Sequence, residues 1–154
     1  VVLTFIGDGN NVANSLLLCG ALLGVEVRIV CPRGYEPNQA ILKKAVKINK
    51  NKIIISHDPQ TALVGANVIY TDVWSSMGEE KQKNVKDRNF SKFTVDKNLV
   101  KKTNENSIVL HCLPAYRGKE ITDEVIESGK SRIFNQAENR LHVQQALLAA
   151  LLGN

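Results

Sequence analysis

The sequence has few of the features that mark extracellular or membrane-embedded proteins. It contains only three cysteines, Cys19, Cys31 and Cys112, and their spacing matches no metal-ligand motif. An odd number of thiols supplies no disulfide framework, and such usage is typical of a reducing compartment. No apolar run reaches the roughly 18 residues that a membrane span needs. We therefore expect a cytoplasmic protein without a metal site or a membrane segment.

Aromatic residues make up only 5% of the chain, although its net charge is +5. A basic balance can indicate nucleic-acid binding. The lysines, however, are spread along helix-like segments, as at Lys43, Lys44 and Lys47, and no aromatic residues interleave with them as a stacking platform requires. The pattern predicts solvated helix faces, so neither nucleic acid nor membrane is an expected partner.

The chain is 154 residues long, which is the size of one ordinary domain. It has no charged and apolar leader, and it begins directly on the strand-like run Val-Val-Leu-Thr-Phe-Ile at residues 1–6. A natural start usually has a few loose residues before the first strand. We therefore expect the sequence to begin at an internal boundary of a larger protein.

Apolar runs rich in valine and isoleucine alternate with segments of helical periodicity. The predicted strands are residues 2–6, 26–30, 53–56, 68–71, 108–111 and 132–134. The predicted helices are residues 12–23, 38–49, 60–64, 79–89, 96–102, 123–127 (capped by Thr122) and about 138–152. This alternation predicts a single α/β domain over residues 1–154, with a doubly wound, mainly parallel sheet and helices on both faces, as in Rossmann-like folds.

The last predicted helix ends in Ala-Leu-Leu-Ala-Ala-Leu-Leu at residues 146–152, which is apolar around the whole circumference. A helix that only covers one face of its own sheet should show a polar stripe. We therefore expect Leu147, Leu148, Leu151 and Leu152 to form an exposed apolar patch, or to pack on something outside this copy of the chain.

Ligands of such sheets gather at the carboxyl ends of the strands, and the first of these ends carries Gly-Asp-Gly-Asn-Asn at residues 7–11. The two glycines allow a tight turn and a close approach to a ligand. The run resembles the start of a dinucleotide fingerprint, but Val12 stands at the third glycine position and Cys31 ends the second strand where a ribose-binding acid belongs. An NAD site is therefore a weak alternative, and a contact of Arg33 with a 2′-phosphate has no further support.

The same segment holds two adjacent asparagines at a helix start. Asn10 or Asn11 is expected to cap the helix, since asparagine is a favoured N-cap residue. Capping needs only one of them, so the second is free to present its amide to a ligand.

The fourth strand runs into Asp-Val-Trp-Ser-Ser-Met-Gly at residues 72–78. The carboxylate of Asp72 suits a cationic ligand group such as an ammonium. The alternative is that Asp72 or Ser76 merely caps the helix predicted to start near Glu79.

The fifth strand ends on His-Cys-Leu-Pro at residues 111–114. Pro114 forces Leu113 out of helical geometry, which directs the Leu113 carbonyl away from the sheet ladder. Cys112 is a candidate nucleophile, but adjacent residues of a strand point to opposite faces, so His111 and Cys112 form no ready pair. A buried, inert Cys112 is the alternative.

The last candidate is Arg140, which the pattern places at the start of the final helix. An arginine there opposes the helix dipole, so Arg140 is a candidate for gripping a phosphate or carboxylate. The alternative is a surface arginine paired with Glu138 or another nearby acid.

Taken together, these segments resemble the carboxyl-terminal, amino-acid-binding half of the ornithine carbamoyltransferases. The matching runs are Gly-Asp-Gly-Asn-Asn at 7–11, Asp-Val-Trp at 72–74, Ser-Met-Gly at 76–78, His-Cys-Leu-Pro at 111–114 and Ala-Glu-Asn-Arg at 137–140. The resemblance covers essentially the whole chain in order and spacing. It implies transfer of a carbamoyl group from carbamoyl phosphate to the δ-amine of ornithine, giving citrulline and phosphate in arginine metabolism.

The resemblance also implies ligand roles for individual residues. Asp72 would pair with the α-ammonium of ornithine and Asn11 would bind its α-carboxylate end, with Ser76 and Met77 closing over it.

For the reaction itself, the resemblance implies that Cys112 sits beside the δ-amine and, with the Leu113 carbonyl, against the carbamoyl group. Arg140 would hold carbamoyl phosphate and its developing charge. The family's reaction needs no cofactor, metal or covalent intermediate.

The family's amino-terminal, carbamoyl-phosphate-binding domain is absent from this sequence, so the resemblance implies an inactive half-site when the chain is alone. The complete family members are expected to be trimers or multiples of trimers. Two alternatives stay open: a carbamoyltransferase for a related amine or acylated ornithine, and a non-catalytic ligand-binding module of the same fold.

Overall fold

The fold is built on a five-stranded parallel sheet. In the computed structural model, which describes residues 1–75 and 83–153, the strands are β1 (Val2–Ile6), β2 (Glu26–Val30), β3 (Ile53–Ser56), β4 (Val68–Thr71) and β5 (Ile108–His111). Their order is β3-β2-β1-β4-β5, with parallel pairing throughout. The predicted doubly wound α/β fold is confirmed, and the order reverses between β1 and β4, where such folds bind ligands.

Helices and short turns connect the strands. They are α1 (Asn11–Leu22), α2 (Gln39–Ile48), α3 (Pro59–Ala62), α4 (Lys83–Phe90), α5 (Lys97–Val100), α6 (Asp123–Ile126) and α7 (Ile133–Leu152), with 3₁₀ turns at Lys50–Lys52 and Ser91–Phe93. Successive strand residues enter different core clusters: Phe5 packs with α1 and α2, whereas Ile6 packs with Phe90 and Val109. Both faces of the sheet are therefore covered, as a parallel sheet requires. Residues 79–82 of the predicted fourth helix lie outside the described residues.

The predicted sixth strand at residues 132–134 is wrong. The chain touches β5 only briefly there: Val109 N–H donates to the Lys130 carbonyl (2.9 Å), and Arg132 N–H donates to the Val109 carbonyl (2.9 Å). Helix α7 then begins at Ile133, five residues before its predicted start near residue 138. A short apolar run fits a strand and a buried helix end equally well, and here the helix end is formed.

The start of α6 follows Thr122 as predicted, but the expected cap is not made. Within the described residues the Thr122 hydroxyl has no hydrogen-bond partner. Asp123 and Glu124 occupy the first turn instead, where their charges suit the positive end of the helix dipole.

Beyond its first turn, α7 is exposed along its whole length. The exposed fraction is 56% for Leu147 and Leu148, 72% for Leu151 and 76% for Leu152. The prediction of an exposed apolar patch is therefore confirmed for a single copy of the chain. Among the helices of the described residues, none is both long enough and apolar enough to cross a membrane.

Two loops cross at Gly9, in the turn between β1 and α1. Gly9 N–H donates to the Tyr35 carbonyl (2.9 Å), and a Cβ on residue 9 would lie 2.4 Å from backbone atoms of Glu36 and Pro37. The close approach that this glycine permits is therefore to another loop of the same chain.

We expect the substitution Gly9→Ala to lower the free energy of unfolding by about 1–3 kcal/mol, because the new methyl group overlaps backbone that cannot rotate away. Gly129→Ala is the matched control, since nothing lies within 4 Å of its added Cβ. Its effect should stay within about 0.5 kcal/mol. Denaturant unfolding followed by circular dichroism measures the free energy of unfolding of both variants. Equal values would mean that the two loops approach each other less closely at residue 9 than described.

Candidate functional site

The candidate site lies where β4 and β5 end side by side. Thr71 pairs with His111 in the sheet register, so the next residues, Asp72 and Cys112, emerge next to each other. The Cys112 thiol donates a hydrogen bond to Asp72 Oδ1 over 2.9 Å. Asp72 is buried, whereas Cys112 is half-buried. The two residues that the sequence proposed for an ammonium and for the reacting amine are thus in direct contact.

Asn10 completes the surroundings of the Asp72 carboxylate. Its Nδ2 donates to Asp72 Oδ2 (2.9 Å), while its Oδ1 accepts from Val12 N (2.9 Å) and Ala13 N (3.2 Å) at the start of α1. Asn10 is therefore the cap, and it also holds the site carboxylate. Asn11 is exposed at the first position of α1, and its amide has no capping role.

Sequence analysis assigned capping and side-chain binding to two different asparagines, whereas Asn10 alone caps α1 and holds the Asp72 carboxylate. An asparagine cap uses only its oxygen, however, and leaves two N–H donors for a neighbouring acceptor. That spare donor capacity is the signal that could have identified it.

Burial is the largest influence on the Cys112 thiol. Burial first, then the hydrogen bond to Asp72 and the charge of that carboxylate, raise the pKa of Cys112 from 9.0 to about 12. At neutral pH the thiol is thus protonated, so it is a hydrogen-bond donor and not a ready nucleophile. This geometry favours a role for Cys112 in positioning a ligand over a role as a covalent nucleophile.

Tyr70 and Gln136 connect the site to α7. Gln136 Nε2 donates to the Tyr70 hydroxyl (3.0 Å), and Gln136 Oε1 accepts from His111 N (3.0 Å). Burial raises the pKa of Tyr70 to about 12, with the neighbouring Cys112 as the next cause. Neither residue was predicted from sequence, because their pairing depends on how α7 packs against β5.

The turn after β5 places Leu113 in an unusual backbone conformation. Its φ is +58°, outside the right-handed helical region as predicted, and the Leu113–Pro114 peptide bond is cis. Leu113 N–H donates to His111 Nδ1 (2.9 Å), and His111 Nε2 lies 3.3 Å from Glu120 Oε1.

Arg140 does not lie at a helix start. Because α7 begins at Ile133, Arg140 is beyond the first turn, and the argument from the helix dipole is wrong. It is exposed, and Glu138 pairs with His142 (3.6 Å) and not with Arg140. Arg140 follows Gln136 by four residues, so both lie on one face of α7.

Ser76 and Met77 lie outside the described residues. The segment before them is anchored: Trp74 is buried and stacks on Phe90, with ring centroids 5.7 Å apart. After them, Lys86 on α4 forms a buried ion pair with Asp8 (2.6 Å).

Donor atoms of Asp72, His111 and Cys112 lie within 4.8 Å of one another, a spacing that would admit a metal ion. Both ring nitrogens of His111, however, are already engaged, one by Leu113 N–H and the other by Glu120. Metal ligation needs a free imidazole lone pair, which His111 does not offer. The cluster therefore does not fit a metal site.

Fold and site together define a Rossmann-like domain with a buried carboxylate and a thiol at its switch point. The sequence matches the family described as "Aspartate/ornithine carbamoyltransferase, Asp/Orn binding domain" over residues 1–151. The chain belongs to this family.

Similar proteins carry a more specific name. The chain is 71% identical to the ornithine carbamoyltransferase of Prochlorococcus marinus strain MIT 9312, over 99% of this chain and 50% of that protein. The structure resembles the ornithine carbamoyltransferases of Pyrococcus furiosus (TM-score 0.90, 45% identity, 97% of this chain and 49% of that one) and Campylobacter jejuni (TM-score 0.91, 40% identity, 97% and 51%). The chain spans about half the length of these relatives.

We expect Asp72→Asn to speed up alkylation of Cys112 by iodoacetamide near pH 8 by at least about threefold. The substitution removes the charge that helps to raise the pKa of the thiol, so that pKa falls and more thiolate is present, although burial still keeps it above the ordinary value. Mass spectrometry of the modified peptides measures the rate, and the exposed Cys19 is the internal reference. An unchanged ratio of Cys112 to Cys19 labelling would contradict the described contact.

Proposed function

We propose that this chain is the ornithine-binding half of an ornithine carbamoyltransferase. The reaction transfers a carbamoyl group from carbamoyl phosphate to the δ-amine of ornithine and yields citrulline and phosphate. The observation that carries the proposal is the buried Asp72 carboxylate in contact with Cys112, at the switch point of a domain whose relatives bear that name.

In this proposal Asp72 pairs with the α-ammonium of ornithine. Among the described residues its hydrogen-bond partners are an amide, a thiol and the backbone N–H of Val73 (2.8 Å), which are all neutral donors. A buried carboxylate held only by neutral groups is favourable for a cationic ligand, which adds a charge-assisted hydrogen bond. Asn11, Ser76 and Met77 are proposed to contact the rest of ornithine.

Cys112 and Leu113 are proposed to position the reacting groups. The neutral δ-amine attacks the carbamoyl carbon, and a tetrahedral oxyanion forms. The C–O bond to phosphate then breaks, and phosphate leaves with that electron pair and takes up the proton that the amine nitrogen loses. A protonated Cys112 thiol fits this direct attack, because it orients the amine without competing as a nucleophile. Arg140 is proposed to hold the phosphate and its developing charge, for which a guanidinium fork is well suited. Catalysis then rests on orientation and charge stabilisation.

The proposal requires a second half-site from an amino-terminal, carbamoyl-phosphate-binding domain. The exposed leucines of α7 are an apolar surface that such a domain can cover. We further propose that the complete enzyme is cytoplasmic and assembles as a trimer or a multiple of trimers.

The test compares this chain alone with a hybrid protein, in which the chain follows the amino-terminal half of the Prochlorococcus marinus MIT 9312 relative. We expect no citrulline from the chain alone and citrulline from the hybrid protein with ornithine and carbamoyl phosphate. Adding the amino-terminal half in trans should restore part of the activity. Turnover by the chain alone would refute the proposal that it contains only half of the active site. A preference of the hybrid protein for N-acetylornithine would refute ornithine as the substrate.

Asp72→Asn in the hybrid protein should weaken ornithine binding far more than carbamoyl phosphate binding. A buried charge-assisted pair is lost for one substrate only, at a cost of about 2–5 kcal/mol. Isothermal titration with each substrate, using norvaline as an ornithine analogue that lacks the δ-amine, measures the difference. Asp58→Asn, which keeps an N-cap residue on α3, is the control and should change neither affinity. Equal weakening for both substrates would contradict the role of Asp72.

A further inference from the structure

The proposed chemistry leaves the buried titratable pair of His111 and Glu120 unused. His111 and Glu120 are each 1% exposed, and His111 Nε2 lies 3.3 Å from Glu120 Oε1. Polar groups buried this deeply need hydrogen-bond partners. Both residues contact the turn that carries Cys112 and Leu113.

The hydrogen bonds of His111 fix the position of its proton. Leu113 N–H can only donate, so His111 Nδ1, at 2.9 Å, must offer a lone pair. The ring proton is then on Nε2 and is donated to the Glu120 carboxylate. Glu120 therefore selects the tautomer in which Nδ1 is an acceptor for Leu113.

The same carboxylate oxygen holds the far end of the turn. Tyr116 N–H donates to Glu120 Oε1 over 2.5 Å. The backbone of Glu120 is itself anchored, because its carbonyl accepts from Val95 N (2.8 Å). Glu120 thus clamps both ends of the turn at residues 111–116.

The clamp spans a residue that needs support. A leucine with a φ of +58° is in the left-handed region, which is sterically unfavourable for a side chain that has a Cβ. Such a conformation persists only where its surroundings impose it, and here the surroundings are the His111 ring and Glu120.

We infer that Glu120 is a positioning residue, which acts through His111 to hold Cys112 and the Leu113 carbonyl in the geometry that carbamoyl transfer requires. This inference rests on the proposed function. It assigns Glu120 no contact with substrate.

The first test is the tautomer of His111 in this chain. The chain has three histidines, so ¹⁵N-histidine labelling gives three imidazole spin systems. We expect the Nε2–H tautomer for His111. His57 provides the contrast, because its Nδ1 lies 2.8 Å from the Cys31 carbonyl and must donate. A protonated or Nδ1–H ring for His111 at neutral pH would overturn the inference.

The second test measures turnover in the hybrid protein with two substitutions. Glu120→Gln retains an oxygen at the acceptor position, so we expect the same His111 tautomer and a kcat within about threefold of the parent. Glu120→Leu removes the acceptor and should lower kcat by about 10- to 100-fold, while the KM for ornithine changes by less than about threefold. Glu105→Leu, at an exposed position, is the control and should have no effect.

A purely structural role for Glu120 predicts a different result. The Glu120→Leu variant would then be less stable but would keep the parent's tautomer and kcat below its unfolding temperature, and this outcome would overturn the inference. If Glu120→Leu does not fold, Glu120→Gln decides: a changed tautomer with unchanged kcat overturns the inference, and both unchanged supports it. If the parent hybrid protein forms no citrulline, the proposed function fails, while the tautomer measurement still tests the clamp.

Discussion

The buried carboxylate of Asp72 is the constraint on which the site depends. A charge removed from water must be met by several donors, and Asn10, Val73 and Cys112 supply them from three different segments. Those segments meet only because the parallel register aligns the ends of β1, β4 and β5. Cap, carboxylate and thiol are therefore one connected structure, in which burial first and the contact with Asp72 second raise the pKa of Cys112.

The fold could be predicted because local signals and global packing agree. Each of the five observed strands is a short apolar run bounded by turn residues, and helices separate them in the order that a parallel sheet requires. The exception is the run at residues 132–134. Ile133 is buried and Phe134 is largely exposed, which fits a helix start as well as a strand, and only the contact with Val109 decides the outcome.

The site could be predicted in part. Asp72 and Cys112 were identifiable because each directly follows a predicted strand, and strand ends converge in this fold. Tyr70, Gln136 and Glu120 were not, since their partners lie on other elements and no short motif encodes those distances. Arg140 was selected because it was expected at a helix start, and it does not lie there. Gln136, on the same face of α7, is however hydrogen-bonded to His111 next to the site.

The balance of charge at the site is incomplete within the described part of this chain. The nearby buried cation, Lys86, is paired with Asp8, and the donors around Asp72 are neutral. A buried carboxylate without an ion-pair partner gains from a ligand that carries the missing positive charge, provided that it also preserves the existing hydrogen bonds. An α-ammonium group meets that condition with three donors. In the proposed function, recognition of an amino acid over a simple diamine also requires a contact for the α-carboxylate, and Asn11 is the residue proposed for it.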